Sequence, residues 1–330
     1  DKNMVKTSLV ALFLLAATVA HAADSAKAEL PIYQDPVSTK HSVVIDGKTV
    51  NYTATAGHLT LTKEDGSIRA RVFYIAYTKD GVGDPAERPL TFSFNGGPGS
   101  SSVWLHLGVL GPRRVLMNDD GTTLPPPYKL VDNEYSWLDM TDIVFIDPVS
   151  TGYSRAEDPK TANKEFHGYR QDIESVGSFI RRWVNDNKRW ASPKYVIGES
   201  YGTTRASGLS EHLQSKYGMY LNGVILVSAV LNFQTIRFAE GNDLPHAMFL
   251  PTYAATAYYH EKVPADVRAN GLRAVLSECR KWTNNVYAPF LMKGDDQPQQ
   301  SFDEVNAALQ KWTGLSEQYI ERSDHRINIH

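Results

Sequence analysis

The chain opens its regular pattern with a block of β-type segments. Ser42 to Ile45, Thr49 to Thr55 and Ile68 to Tyr77 are rich in β-branched and aromatic residues, and Asp46-Gly47 between the first two is a hairpin signal. From residue 90 the pattern changes. Short apolar runs at Leu90 to Phe94, Ile143 to Ile146, Tyr195 to Ile197 and Val224 to Val227 alternate with stretches of helical spacing, Phe166 to Val184 and Thr203 to Tyr217. Such alternation predicts an α/β fold, a mostly parallel doubly wound sheet with antiparallel N-terminal strands. Ligands bind such sheets at the carboxyl ends of the strands. After Val230 no strand pattern follows; the rest predicts helices broken at Pro245, Pro251, Pro264 and Gly294-Asp295-Asp296.

Three segments result. Residues 1–22 are expected to be a secretory signal: Lys2 and Lys6 precede an apolar run from Leu9 to Ala20, and Ala20-His21-Ala22 offers small residues at the cleavage positions. The run is too short to span a membrane comfortably, so no membrane association is expected after cleavage. Residues 23–230 form the sheet-bearing core, with 23–40 an extended leader, and residues 231–330 a helical cap insertion.

Composition narrows the classes. With 330 residues, 42% hydrophobic and 22% charged, the chain is globular rather than disordered. The net charge is -3 and the basic pairs are scattered, which argues against nucleic acid as a partner. Cys279 is the single cysteine, so no internal disulfide is available; with the signal this suits a secreted or periplasmic protein. The ten histidines show no metal-ligand spacing and no phosphate-cradling lysine loop is present, so no metal or cofactor is expected.

The chemistry lies at two strand ends. Gly198-Glu199-Ser200-Tyr201-Gly202 matches G-x-S-x-G between a strand and a helix. There a serine nucleophile, Ser200, stands on a sharp turn with its hydroxyl exposed above the sheet. Asn95-Gly96-Gly97-Pro98-Gly99 follows the earlier strand and supplies a glycine turn whose N–H groups can face an oxyanion. The backbone N–H groups of Tyr201 and Gly97 are the expected donors.

These residues resemble the serine carboxypeptidase family, the carboxypeptidase Y and cathepsin A type. The likeness rests on N-G-G-P-G-S-S at Asn95 to Ser101, V-F-I-D-P-V-S-T-G-Y-S at Val144 to Ser154 and Y-V-I-G-E-S-Y-G at Tyr195 to Gly202, with support at Leu107 to Pro112. It covers roughly residues 68–232 and implies an α/β-hydrolase fold. It also implies that Asn95, Gly96 and Glu199 hold the C-terminal carboxylate of a peptide or protein substrate. A carboxylate beside Glu199 would repel it unless the two share a proton, which implies best activity at acidic pH. Three departures bear on substrate preference: Ser100 stands where the family usually has a disulfide-bonded cysteine, Ser93 where an aromatic residue is common, and Asp147 runs directly to Pro148 without a glutamine.

A serine hydroxyl needs a base, and the base an orienting carboxylate, in the chain order Ser, Asp, His. Downstream, Asp243, His246, Asp324, His325 and His330 are candidates by type, but all lie in helical or irregular context and read as surface or structural residues. The expectation is a C-terminally truncated chain whose last strands, acid and base lie beyond residue 330, and which is inactive alone. Alternatives are another α/β-hydrolase, either a proline iminopeptidase-like peptidase or an esterase, and a non-catalytic binding protein on the same scaffold. Asn95 before the glycines and Tyr201 after the serine argue against the iminopeptidase.

Overall fold

The computed structural model describes residues 35–328; the expected signal segment and His330 lie outside the described residues. Three strands open the fold as an antiparallel meander: β1 (Val37–Ile45), β2 (Lys48–Thr62) and β3 (Ile68–Lys79). The β1–β2 turn is the Asp46-Gly47 pair, with φ of 46° and 71°, the left-handed backbone that lets a two-residue turn follow the twist of its strands. β4 (Leu90–Phe94) then enters the sheet interior. A small hairpin of β5 (Arg113–Val115) and β6 (Leu130–Asp132) intervenes, followed by β7 (Asp142–Ile146), the short β8 (Arg155–Ala156), β9 (Lys194–Glu199) and β10 (Gly223–Val227).

The main sheet runs β1-β2-β3-β7-β4-β9-β10, with β8 on β3. β3 meets β7 antiparallel, while β7, β4, β9 and β10 are mutually parallel. β4 and β7 are buried at every position because both sheet faces are covered, which explains their uninterrupted apolar runs. β10 is the last strand, and its Val224 and Leu226 are exposed.

Ten α-helices are described: α1 (Val103–Leu105), α2 (Ala162–Phe166), α3 (Tyr169–Asp186), α4 (Tyr201–Tyr217), α5 (Leu244–Tyr259), α6 (Ala265–Arg268), α7 (Leu272–Trp282), α8 (Ala288–Lys293), α9 (Gln299–Thr313) and α10 (Glu317–Arg322). On one sheet face α3 and α4 bury Phe179, Ile180, Trp183 and Leu209 against Phe92, Phe94 and Val196. On the other, Leu105, Leu110 and Leu138 cover Ile143, Phe145 and Ile197. Residues 244–322 are helical, as expected, around a separate core that includes Leu250, Cys279, Tyr287, Leu309 and Trp312. No helix of the described residues is long and apolar enough to cross a membrane.

A buried ion group pins the strand bottoms. Asp142, 2% exposed, accepts from Arg88 Nε at 2.7 Å and from Arg189 Nη1 at 2.6 Å. Here both carboxylate oxygens are occupied, the condition under which a buried charge is tolerated.

Four sequence expectations need correction. The end of the leader is not a free extension, since Val37 to Lys40 already pair with Thr53 to Ala56. β2 runs on to Thr62, because Gly57 leaves room for Pro36, whose ring would lie 2.8 Å from a side chain there. The stretch from Phe166 to Val184 is two helices, α2 ending at Phe166 and α3 starting after Gly168, whose backbone is extended. The β5–β6 hairpin and β8 are strands of two or three residues, too short to show an alternating pattern.

Candidate active site

β9 delivers Glu199 to the carboxyl end of the sheet, and the chain reverses through Ser200 into α4. Ser200 has φ 57° and ψ -125°, a conformation few non-glycine residues adopt. The bend is held on both sides. Ser200 N–H donates to Val227 O at 3.0 Å, and its carbonyl accepts from Thr203 N at 2.9 Å and Thr203 Oγ1 at 2.7 Å. A side chain at Gly198 would press on Thr203 N at 3.0 Å, and one at Gly202 on Phe94 O at 2.9 Å, so both flanking glycines are sterically required. Ser200 is partly exposed.

The glycine turn lies against this elbow. A side chain on Gly96 would stand 2.6 Å from Gly202 N and 2.7 Å from Glu199 O, and closer still to Tyr201 N, so the two backbones touch. Gly97 and Gly99 take φ of +104° and +107°, and the Gly97-Pro98 peptide is cis. Ser100 N–H closes the turn on Gly96 O at 3.0 Å. Among the described residues no acceptor takes the N–H groups of Gly96, Gly97 or Tyr201. Free amides on two apposed backbones beside a serine can stabilise an anion.

Asn95, fully buried, ties the parts together. Its Nδ2 donates to Glu199 Oε2 at 2.9 Å, its Oδ1 accepts from Leu105 N at 3.0 Å, and its carbonyl accepts from Arg205 Nη1 at 2.7 Å. Arg205 is in turn paired with Asp172 on α3, its Nε 2.8 Å and 3.0 Å from the two carboxylate oxygens. Burial, with the negative charge of Asp172 adding, pushes the Tyr201 hydroxyl up to about 12, so it stays protonated. Sequence reading missed Arg205 and Asp172. A charged pair inside two amphipathic helices gives no local signal.

Asp147 was read only as part of a motif, and its structural role is specific. Its Oδ1 accepts from Ser102 N at 2.9 Å, fixing the start of α1 to the end of β7, and burial raises its pKa. Gly152 is obligatory there because a side chain would collide with the Asp147 carboxylate. Beside the glycine turn lies a cavity of about 200 Å³, lined among others by Pro98, Gly99, Val149, Phe166 and Tyr201.

The downstream acid and base candidates are committed elsewhere. Asp243 and Asp324 both pair with Arg326, at 2.8 Å and 2.5 Å. His246 Nδ1 bonds Ile327 O at 2.8 Å. His325 packs between the rings of Phe290 and Phe302, with burial lowering its pKa. All four serve the helical region. Among the described residues no cluster of His, Cys, Asp and Glu could hold a metal ion.

Strand order, elbow and glycine turn together make this an α/β-hydrolase fold. Comparison with known proteins gives the family. A family model described as serine carboxypeptidase matches residues 45–319. Serine carboxypeptidase-like 13 of Arabidopsis thaliana is 26% identical over 187 residues, 56% of this chain and 40% of that protein. The pheromone-processing carboxypeptidase KEX1 of Saccharomyces cerevisiae is 35% identical over 156 residues, 44% of this chain and 20% of its own. A crystal structure of the KEX1 prohormone-processing carboxypeptidase from the same yeast aligns with TM-score 0.47 and 23% identity, covering 79% of this chain and 53% of that one. The chain thus spans less than half the length of these curated relatives. Since the family model takes in most of its residues, the chain belongs to the serine carboxypeptidase family.

Proposed function

We propose that this protein is a secreted or periplasmic serine carboxypeptidase that releases C-terminal residues from peptides through an acyl-enzyme on Ser200. The observation that carries the reading is the Asn95–Glu199 hydrogen bond set directly against the elbow, with the Gly96 N–H unclaimed beside it. An endopeptidase or esterase has no need of a paired amide and carboxyl group there. A carboxypeptidase does, because it must hold the terminal carboxylate of its substrate.

In this reading the substrate carboxylate lies on Asn95, Gly96 and Glu199, with one proton shared between it and Glu199. Ser200 Oγ attacks the last peptide carbonyl, and the N–H groups of Gly97 and Tyr201 receive the oxyanion. Collapse of that intermediate breaks the C–N bond, and the amine leaves with the proton taken from Ser200 by a base. Water then cleaves the acyl-enzyme. This step requires a base beside Ser200 to take and return the proton. Residues 231–330 act as a cap over the site and contribute to selectivity.

The test is labelling of Ser200 by a fluorophosphonate in the full-length enzyme, together with release of C-terminal residues from N-blocked peptides. Labelling that disappears in Ser200→Ala, with no release from C-terminally amidated peptides, is expected. Hydrolysis that requires a free amino terminus would replace this reading by an aminopeptidase, and absence of labelling would leave a binding protein.

A further inference from the structure

We propose that Arg205 is a positioning residue for the substrate's terminal carboxylate, acting through the Asn95–Gly96 peptide. The proposal deepens the carboxypeptidase reading and rests on it.

Arg205 sits one turn after Tyr201 on α4, buried with its guanidinium between two rings, 5.2 Å from the centroid of Phe94 and 5.3 Å from that of Tyr201. Its Nε is fixed on both oxygens of Asp172, at 2.8 Å and 3.0 Å. That leaves Nη1 aimed at one acceptor, Asn95 O, at 2.7 Å. The planar fork suits this task, since it directs fixed donors to the carboxylate and the carbonyl at once.

The carbonyl it holds belongs to the same peptide group as the Gly96 N–H. A charge-assisted bond to the oxygen polarises the peptide and makes that N–H a stronger donor. Gly96 N–H is one of the groups assigned to the incoming carboxylate, and it has no acceptor among the described residues. The same bond fixes the plane of the peptide at the root of the glycine turn. Asp172 neutralises the guanidinium, so the pair contributes little net field. Its influence passes through one peptide bond.

A merely structural Arg205 would support all ligands alike, whereas a carboxylate-positioning one would matter for acids alone. The experiment is calorimetric binding to the full-length protein carrying Ser200→Ala, which prevents turnover. The probes are N-acetyl-Phe-Leu with a free carboxylate and its C-terminal amide. Removing one member of the buried pair would strand the other, so the pair is removed together as R205M/D172L. The expected result is an acid-over-amide affinity ratio of about tenfold or more with Arg205 present, falling to about threefold or less without the pair. Amide binding should stay within about twofold. Arg205→Lys should give an intermediate ratio.

An unchanged ratio, or equal weakening of both probes, overturns the proposal. Should R205M/D172L lose its cooperative thermal transition, the polar pair R205Q/D172N is read by the same criterion. A protein with Arg205 intact that shows no acid preference refutes the carboxypeptidase reading and this proposal with it. Preference retained without the pair refutes the proposal alone.

Discussion

The side-chain amide of Asn95 donates to the Glu199 carboxyl group at 2.9 Å, so the residue opening the glycine turn and the residue preceding Ser200 are bonded across 104 positions of sequence. In the proposed carboxypeptidase this pair faces the terminal carboxylate of the substrate, so Asn95→Ala, which removes the amide donor, should raise KM for an N-blocked dipeptide by about tenfold with little change in kcat. Steady-state kinetics on the free acid measures this, and an unchanged KM would contradict the account.

Gly96 sets the glycine turn directly against the backbone of the elbow. Gly96→Ala should force the turn away from Tyr201 and separate the amides proposed to receive the oxyanion, since a methyl group would lie 2.6 Å from Gly202 N. Fluorophosphonate labelling of Ser200 should slow by about a hundredfold, the scale of losing one oxyanion donor. Labelling at the wild-type rate would show that the turn does not contribute.

Asp142 holds two arginines in the sheet interior. Asp142→Asn leaves Arg88 and Arg189 without a counter-charge and should cost about 3–5 kcal/mol of stability. Denaturant unfolding gives the value, and a loss under about 1 kcal/mol would mean that solvent reaches the arginines.

His106 follows α1 and bonds the Tyr77 hydroxyl through Nε2 at 2.7 Å. Burial lowers its pKa to about 4. An unfolded histidine takes up its proton near pH 6.5, well before the folded one. Stability present above pH 6.5 is therefore lost as pH falls towards 4, with no further loss from this group below that. His106→Gln keeps a partner for Tyr77 without titrating, and should flatten thermal stability across this window. Acidic conditions thus work against the packing beneath α1.

Much of this architecture is written locally. Asp46-Gly47 turns as its residue types require, the runs at Leu90 and Ile143 are buried strands, and the elbow at Ser200 falls between a strand and a helix. What escapes a sequence reading depends on distant neighbours. β2 passes through Gly57 because Pro36 fills the space above it, and nothing near Gly57 announces that. Arg205 looks like any charged helix position until Asp172, 33 residues earlier, and Asn95, 110 residues earlier, close around it. The helix break at His167-Gly168 is hidden because apolar spacing continues across it.

Ser200 holds its backbone at φ 57° and ψ -125°. A residue in such a sparsely populated region costs roughly 1–3 kcal/mol, which glycine would not incur. Ser200→Gly should therefore yield a more heat-resistant protein with no nucleophile. A library screened only for survival on heating would drift towards glycine at this position. Only selection for turnover keeps the hydroxyl in place.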